Sequence, residues 1–323
     1  MKAIVQDTYG SADVLELRDI DRPEVGDDEV LVRVHAAGVD PGVWHLMTGL
    51  PYLIRIAGYG FRAPKSPVRG NDLAGRVEAV GKNVTEFQAG DEVFGNSDGT
   101  FAEYASAKAN KLALKPTNIS VEQAAAVPTS ALTALQGLRD HGEVQPGQRV
   151  LIVGASGGIG TFAVQLAKAF GAEVTGVCST TKVDMVRSLG ADHVIDYVRD
   201  DFEQMPQRYD VILDMAGNRS LSTLRRALTP EGTLVIVGGE EGGRWLGGTD
   251  RQIRALLLSP FVRQRLRTFI AKEGAEDLLV LKELIESGKV TPVIDRTYEL
   301  REAPDAIRYL DEGHARGKLV LSV

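Results

Sequence analysis

The sequence predicts an α/β protein with two parts, and three observations carry this prediction. Residues 1–120 consist mostly of short β-branched runs separated by glycine, aspartate and asparagine, a rhythm typical of an all-β barrel or sandwich. From residue 147 onward, strand-like and helix-like patterns alternate, which favours a parallel sheet with helices on both faces. A glycine-rich loop lies at the first strand-to-helix turn of that alternation.

Length, charge and cysteine content narrow the class of protein. The 323 residues are enough for about two domains, and the net charge of −7 argues against a nucleic-acid binder. With Cys178 as its single cysteine, the chain can form neither an internal disulfide nor a cysteine-rich zinc site. The first residues lack the apolar core of a secretory signal, and no run is long enough to span a membrane, so a cytoplasmic location is expected.

The elements follow in order along the chain. The runs "EVLVRVHAAGV", "LAGRVEAVG" and "AGDEVFG" predict strands in the first part. The stretch from 121 is helical by composition, with Ser120 as its cap and Glu122 or Gln123 close behind. In the second part, strands are predicted at 150–153, 174–178, 193–196, 210–214 and 233–237, with a sixth near "LRTFI". The tail carries a helix at 303–312 between the extended segments "TYEL" and "KLVLSV", and is expected to rejoin the first part.

The glycine loop "VLIVGASGGIG" has the context of a nucleotide cradle. Its spacing is Gly154-x-x-Gly157-x-x-Gly160, and a helix is expected to begin near Thr161. Glycines permit a tight turn and the close approach of a pyrophosphate, which the helix N-terminus then attracts. The alternative is a flexible turn without a ligand.

The end of the second strand indicates which nucleotide is bound. An NAD site usually carries an acidic residue there, on the ribose 2′-hydroxyl. Here the strand "EVTGVC" is followed by Ser179, Thr180, Thr181 and Lys182. Hydroxyls and an ammonium group suit a 2′-phosphate, which favours NADP(H). The alternative for Lys182 is a solvated lysine at a helix start.

The chain resembles the medium-chain dehydrogenase/reductases, and within them the zinc-independent quinone oxidoreductases. The resemblance rests on "VLVRVHAAGVDP", "GNDLAGRVEAVGKNVTEFQAGDEVFG", "AAAVPTSALTALQGL", "VLIVGASGGIGTFAVQLAKAFGAEV" and "LGADHVIDY", which follow the family's order. It implies a GroES-like β-rich catalytic domain, a Rossmann NADP-binding domain with a doubly wound parallel sheet, and a substrate cleft between them. The expected domains are 1–121 with 290–323, and 122–289. A homodimer through the cofactor domain is also implied.

The resemblance also implies roles for individual residues at the cofactor. Three glycines match the pyrophosphate loop, Ser179 and Lys182 match residues at the 2′-phosphate, Tyr197 matches a tyrosine near the adenosine phosphate, and Thr133 matches a threonine against the nicotinamide. The cofactor-binding set is Thr133, Gly154, Ser156, Gly157, Gly158, Ile159, Gly160, Ser179, Lys182, Tyr197 and Gly238.

The metal ligands of the zinc alcohol dehydrogenases are replaced in this chain. Asp40 stands in "GVD" where those enzymes have "GVC", and "GND" (Asn71 and Asp72) stands where they have "GHE". Thr129 takes the place of a further cysteine, and the four-cysteine lobe is absent. Zinc prefers thiolate and imidazole ligands, so no metal is expected.

A hydride acceptor must then be electrophilic already, as quinones and α,β-unsaturated carbonyl compounds are. The segment "DPGVWHLMTGLPY" holds the candidate catalytic residues Asp40, His45 and Tyr52. Tyr52 or His45 could donate a hydrogen bond to the substrate oxygen, while Asp40 is either protonated or orients a neighbour. The alternatives are that Tyr52 is a packing wall and His45 a surface residue. Two further functions stay open: an NADPH-binding protein with little turnover, and a metal-free alcohol dehydrogenase or enoyl reductase.

The stretch 251–272 has six basic residues, no acidic residue and interleaved leucines and phenylalanines. One interpretation is a helix with its apolar face on the sheet and its arginines in solvent. The other is a mobile cover that shapes a hydrophobic acceptor site around Leu257 and Phe261, or that touches an anionic membrane surface. Pro260 argues against a single continuous helix.

Overall fold

The computed structural model describes residues 1–200, 207–238 and 243–323, and the chain divides into two compact units. Unit 1 comprises Met1–Leu132, Glu273–Gly288 and Pro292–Val323. Unit 2 comprises Thr133–Lys272 and Lys289–Thr291. The domain boundaries expected from the sequence, at 121 and 290, remain a proposal.

Unit 1 is built on a mostly antiparallel sheet with the strand order β14-β15-β3-β4-β5-β7, in which β6 also pairs with β3. The predicted return of the tail is confirmed, because β15 pairs with β3 and Leu319 lies opposite Val39. A separate antiparallel pair, β1 and β2, covers part of the same unit. The strands are β1 (Lys2–Val5), β2 (Glu16–Asp19), β3 (Glu29–Val39), β4 (Asp72–Val80), β5 (Glu92–Asn96), β6 (Tyr104–Lys108), β7 (Leu112–Leu114), β14 (Ile294–Glu299) and β15 (Lys318–Ser322).

The helices of this unit follow the sequence signals at their ends. Ser120 accepts a hydrogen bond from Gln123 N, and Gln123 reciprocates, so the predicted cap is a capping box. The helical stretch from 121 is interrupted before Pro128, whose ring cannot continue a helix but suits a first turn. The helices are α1 (Pro41–Thr48), α2 (Val121–Ala125), α3 (Pro128–Gln136, which extends into unit 2), α8 (Ala275–Glu286) and α9 (Ala303–Asp311).

Unit 2 contains a parallel sheet with the strand order β10-β9-β8-β11-β12-β13. The order reverses between β8 and β11, which is the arrangement of a doubly wound dinucleotide-binding sheet. All five predicted strands and the sixth near "LRTFI" are confirmed. The strands are β8 (Arg149–Val153), β9 (Glu173–Cys178), β10 (His193–Asp196), β11 (Tyr209–Asp214), β12 (Leu228–Ile236) and β13 (Arg265–Thr268).

The central strands form the core of unit 2, where Leu151, Ile212 and Leu234 are fully buried. Helix α4 begins at Gly158, slightly earlier than the predicted start near Thr161, because Gly157 already has the extended backbone of an N-cap. The helices of this unit are α4 (Gly158–Ala169), α5 (Val183–Ser188), α6 (Leu221–Ala227) and α7 (Thr249–Leu258).

Candidate cofactor and catalytic sites

The glycine loop of unit 2 connects β8 to α4, and at two of its glycines any other residue would meet backbone strain or a steric clash. Gly154 has φ of 90°, in the region that favours glycine. A Cβ at Gly160 would lie 2.1 Å from the carbonyl oxygen of Gly154, whereas a Cβ at Gly157 would meet only that oxygen, at 3.6 Å. Gly160 is therefore required by packing, and Gly157 keeps open the space in front of the helix.

That open space faces the N-terminus of α4, where no side chain caps the helix and the first turn has no acidic residue. The unpaired N–H groups and the positive end of the helix dipole suit a pyrophosphate. Ser156 is buried in the loop, while Gly158 and Ile159 are partly exposed in the first helical turn. The loop therefore fits the phosphates of a dinucleotide, and these residues would hold them.

The residues expected at the 2′-phosphate lie together at the carboxyl ends of β9 and β10. Ser179 precedes a tight turn that ends at Lys182, whose N–H donates to the carbonyl oxygen of Ser179 at 2.9 Å. Tyr197 is 49% exposed, and its N–H donates to the carbonyl oxygen of Cys178. The structure thus brings these three residues to one edge of the sheet, as the sequence predicts for an adenosine-phosphate site.

Sequence reasoning missed Asp196 at this edge. The hydroxyl of Thr180 donates to Asp196 Oδ2 at 2.6 Å. A carboxylate therefore lies beside the end of β9, although residues 179–181, which follow that strand, contain no acidic side chain. Asp196 is only 7% exposed, and its other oxygen accepts from Val198 N. The signal was present in "HVIDY", but only the pairing of β10 with β9 places this acid next to Thr180.

The ends of β11 and β12 form the other half of the cofactor edge. Gly238 follows β12, and a Cβ there would lie 2.5 Å from the carbonyl oxygen of Met215. Only glycine permits so close an approach of the two loops. Thr133, in α3, is 8% exposed.

The expected catalytic residues of unit 1 lie in and after α1. Asp40 is the N-cap of α1: its Oδ1 accepts from Gly42 N at 2.8 Å, and its buried Oδ2 has no hydrogen-bond partner among the described residues. His45 is half-buried rather than a surface residue. Its Nδ1 lies 2.8 Å from the carbonyl oxygen of Leu50, which can only accept, so Nδ1 carries the hydrogen and Nε2 is the acceptor of the neutral ring.

The ring of Tyr52 is held by Arg55. The guanidinium lies 4.9 Å from the Tyr52 ring centroid and 4.3 Å from that of Tyr9, and it donates to the carbonyl oxygens of Thr48 and Gly49. Tyr52 is therefore fixed by a cation that the backbone itself anchors.

A buried polar cluster, which we define as Asp72, Asn96, Thr129 and Lys318, lies in unit 1. Asp72 Oδ1 accepts from the hydroxyl of Thr129 at 2.5 Å and from Asn96 Nδ2 at 3.0 Å. The ammonium of Lys318 lies 3.5 Å from Asp72 Oδ2. Burial is the main cause that raises the pKa of Asp72 to about 7; the nearby Asp40 acts in the same direction, and Lys318 opposes the rise.

The cluster continues to the surface of the same unit. Asn71 Nδ2 donates to Thr129 Oγ1 at 3.0 Å and to Glu273 Oε1 at 2.9 Å, and Glu273 pairs with Lys111 at 2.6 Å. Lys318, Glu273 and Lys111 were not found by sequence reasoning. Strand pairing and the return of α8 to unit 1 place them there, and neither follows from a local pattern.

The donor set around Asp40 does not fit zinc. Asp40, Asn71 and Thr129 offer a carboxylate, an amide and a hydroxyl, with no thiolate or imidazole among them, and the Thr129 hydroxyl donates to Asp72. Among the described residues, no group of three or more His, Cys, Asp and Glu side chains is placed to hold a metal ion. Cys178 lies in unit 2, where burial raises the pKa of its thiol to about 11, so the thiolate that zinc requires is disfavoured.

The stretch 251–272 forms α7, a short turn that includes Pro260, and β13, so the predicted interruption at Pro260 is confirmed. Ala255 and Leu258 pack against the core of unit 2, whereas Leu257 and Phe261 are 68% and 84% exposed. Arg251 is an exception to the expected solvated arginines, because its side chain is only 12% exposed. A role of Leu257 and Phe261 in an acceptor site stays a prediction.

A surface cavity of about 560 Å³ lies at the opposite edge of the same sheet, lined among others by Gln148, Asp210, Pro230 and Arg265. It is at the amino ends of the strands, away from the glycine loop, and dinucleotides bind at the carboxyl ends. In the part of the chain that the structure describes, no helix is long and apolar enough to cross a membrane.

The sequence is similar to those of known dehydrogenases and reductases, in agreement with the fold described above. Residues 26–117 match the family described as alcohol dehydrogenase GroES-like domain, and residues 189–321 match zinc-binding dehydrogenase. The chain is 35% identical to the chloroplastic NADPH-dependent alkenal/one oxidoreductase of Arabidopsis thaliana and 34% identical to the 2-methylene-furan-3-one reductase of Solanum lycopersicum. Each match covers 99% of this chain and 79% of the relative.

A solved structure leads to the same family. The quinone oxidoreductase of Escherichia coli, complexed with NADPH, superposes with a TM-score of 0.84 at 25% identity and full coverage of both chains. Together with the doubly wound sheet and its glycine loop, these relatives identify the chain as a member of the medium-chain dehydrogenase/reductase superfamily, in its quinone oxidoreductase-like branch.

Proposed function

We propose that the protein is a metal-independent oxidoreductase that uses NADPH to reduce a quinone or an α,β-unsaturated carbonyl compound. The use of NADPH is supported by one observation above all: no side chain caps the N-terminus of α4 behind Gly157. Ser179 and Lys182 follow the next strand, β9. The names of the relatives, an alkenal/one oxidoreductase and a quinone oxidoreductase, support the class of acceptor.

The chemistry divides between cofactor and protein. When bound, NADPH supplies the hydride; the acceptor also takes up a proton, and negative charge develops on its oxygen. The hydroxyl of Tyr52 is a donor suited to that oxygen, held in place by Arg55. His45 can donate from Nε2 only when protonated, since its Nδ1–H is committed to Leu50. Asp40 caps α1. We assign it the role of orienting this helix and the residues after it, rather than a role in proton transfer.

The proposal of metal independence rests on the donor set. Asp40, Asn71 and Thr129 supply neither a thiolate nor an imidazole, so they make a poor tetrahedral site for zinc. An acceptor that is already electrophilic does not need a Lewis acid, which is why quinones and enones fit better than simple ketones.

Steady-state oxidation of NADPH with a panel of acceptors tests the function. The panel contains short and long enones, soluble quinones, and the saturated ketone that matches each enone. Turnover of enones or quinones with little turnover of the saturated ketones supports the proposal. Tight NADPH binding without turnover of any acceptor contradicts it and favours a binding protein. Preference for saturated ketones or aldehydes contradicts it in favour of an alcohol dehydrogenase.

We also propose a homodimer formed through unit 2, and a cytoplasmic location. β13 is the last strand of its sheet, and among the described residues nothing pairs with its outer edge; such edges are usually covered. Ile270, just beyond β13, is 93% exposed. Light scattering at micromolar concentration tests the dimer, and a monomeric mass contradicts it. The single cysteine supports a reducing compartment, which cell fractionation tests.

A further inference from the structure

Arg251, in the first turn of α7, ties three segments of unit 2 together. Its Nη1 lies 2.5 Å from Oδ2 of Asp214, the last residue of β11. The same nitrogen donates to the carbonyl oxygen of Arg219, and Nη2 donates to that of Gly238, each at 3.0 Å. One side chain therefore links α7 to the loops that follow β11 and β12.

The pair is largely buried, which distinguishes it from the exposed pair of Arg254 with Asp250 on the same helix. The Arg251 and Asp214 side chains are 12% and 0% exposed. By contrast, Arg254 pairs with Asp250 one turn apart, with 75% and 40% of the side chains exposed. Removing two charges from water is costly; their mutual attraction and the hydrogen bonds of the guanidinium to two carbonyl oxygens offset this cost.

Asp214 contacts the same two segments through its side chain and through its backbone. Asp214 Oδ1 accepts from Gly217 N at 3.4 Å, and its carbonyl oxygen accepts from Val237 N at 2.9 Å. Burial raises the pKa of Asp214, and Arg251 opposes that rise. Without the guanidinium, either the carboxyl takes up a proton or the two loops move to hydrate it.

The loop after β11 borders the glycine loop at the point where the strand order reverses. Asp214 lies opposite Val153 in the pairing of β11 with β8, and Gly154 follows Val153 directly. A Cβ on Gly154 would lie 3.4 Å from Ala216 N. In a doubly wound sheet the adenosine half of a dinucleotide lies over β8 to β10, so the loops after β11 and β12 border its nicotinamide half.

We propose that Arg251 is a positioning residue for the nicotinamide half of the cofactor site, acting by fixing the loop after β11 through Asp214, and Gly238 just beyond β12. The proposal rests on the proposed binding of NADPH. Its role is indirect, because its contacts set where the backbone of Arg219 and Gly238 lies. Its loss therefore affects the two halves of the dinucleotide unequally.

Binding of NADPH and of 2′,5′-ADP, which lacks the nicotinamide half, separates this role from a general structural one. Isothermal titration compares the wild-type protein with Arg251→Met and with the matched control Arg254→Met, on the same helix. We expect Arg251→Met to weaken NADPH by about tenfold or more, as for the loss of a charged hydrogen bond, and to leave 2′,5′-ADP within about twofold. Arg254→Met is expected to change neither.

The other outcomes are decisive as well. Equal affinity of Arg251→Met and wild type for NADPH overturns the inference, and so does an equal loss for both ligands, which is a general structural effect. If Arg251→Met does not fold, Arg251→Lys decides by the same criterion, because it keeps a charge but cannot bridge both carbonyl oxygens. If the wild-type protein binds neither ligand, the proposed use of NADPH fails, and that result is distinct from a failure seen only in the variants.

Discussion

The ammonium nitrogen of Lys318 lies 3.5 Å from Oδ2 of Asp72, and the two side chains are 2% and 0% exposed. They come from β15 and β4, which flank β3 on either side. Gly38 of β3 lies opposite Asp72, and a Cβ there would approach Asp72 Oδ2 to 3.0 Å. Three strands thus enclose one lysine and one aspartate, and the glycine makes room for the carboxylate.

Lys318→Met should destabilise unit 1 in a pH-dependent manner. Removing one partner of a buried ion pair leaves the other charge uncompensated, at a cost of roughly 3–5 kcal/mol. Burial already raises the pKa of Asp72 to about 7, so at lower pH this carboxyl can escape the cost by taking up a proton. Urea unfolding should therefore show a larger loss at alkaline than at mildly acidic pH.

Two variants serve as controls for Lys318. Lys82→Met removes the lysine of an exposed pair with Asp27, with 71% and 60% of the side chains exposed, and should cost less than about 1 kcal/mol at either pH. Adding Asp72→Asn to Lys318→Met should recover part of the stability, since no unpaired charge remains. An equal loss at both pH values would show that the pair is not ionised in the folded protein.

Asp72→Asn should change the pH dependence of stability between about pH 4 and pH 7. The folded protein binds this proton more tightly than the unfolded chain, so the contribution of Asp72 is complete below its unfolded pKa and is lost as pH rises through about 7. The free energy of unfolding of the wild type, minus that of Asp72→Asn, should fall over this range by on the order of 2–4 kcal/mol.

The exposed Asp184 provides the matched control for this measurement, since its side chain is fully solvated in the pair with Arg187. Asp184→Asn should leave the pH profile of the wild type unchanged. A difference between wild type and Asp72→Asn that stays flat, or that grows with pH, would contradict the assigned burial effect.

Strands and helix ends could be predicted from the sequence because they depend on residues that are close together in the chain. The strands of unit 2 were found from apolar runs, and the capping box at Ser120 from the residues that form it. The polar contacts were harder to predict, because each depends on which strands become neighbours. Lys318 reaches Asp72 only after the chain's last strand pairs with β3, and Asp196 reaches Thr180 only across β9 and β10.

Arg251 illustrates a second limit of sequence reasoning. An arginine in a basic, amphipathic stretch is expected in solvent, and Arg254 and Arg263 are indeed exposed. The Arg251 side chain is largely buried because it pairs with Asp214, the last residue of β11. Charge patterning along one segment carries no information about a carboxylate that lies far away in the chain.

Lys182→Ala should weaken NADPH selectively. If Lys182 contacts the 2′-phosphate, its loss removes one charge-assisted contact worth roughly 1.5–3 kcal/mol, or about ten- to a hundredfold in affinity. NADH lacks that phosphate and should bind almost as before. Lys168, which pairs with Asp192 at the far end of α4, gives the control Lys168→Ala. Equal wild-type affinity for NADPH and NADH, or equal losses for both in Lys182→Ala, would contradict this assignment.

Removal of metal ions should leave activity intact. Asp40, Asn71 and Thr129 include neither a thiolate nor an imidazole, so we expect that prolonged dialysis against a strong chelator will not change the rate of NADPH-dependent reduction. Elemental analysis of the purified protein should find no stoichiometric zinc. Loss of activity on chelation, restored by zinc, would overturn the argument from the ligand types of Asp40, Asn71 and Thr129.

Gly157→Ala and Gly160→Ala should separate cofactor binding from folding within one loop. A Cβ at Gly157 meets only the carbonyl oxygen of Gly154, at 3.6 Å, and the backbone there is extended, so Gly157→Ala should unfold at the wild-type temperature. The added methyl group nevertheless occupies the space in front of α4, and NADPH should bind about tenfold more weakly or worse.

At Gly160 the Cβ would lie 2.1 Å from that same oxygen, so Gly160→Ala should lower stability by about 1–3 kcal/mol or more. Calorimetry and NADPH titration of both variants measure the two effects separately. A Gly157→Ala protein of normal stability and normal NADPH affinity would show that the pyrophosphate does not lie against this loop.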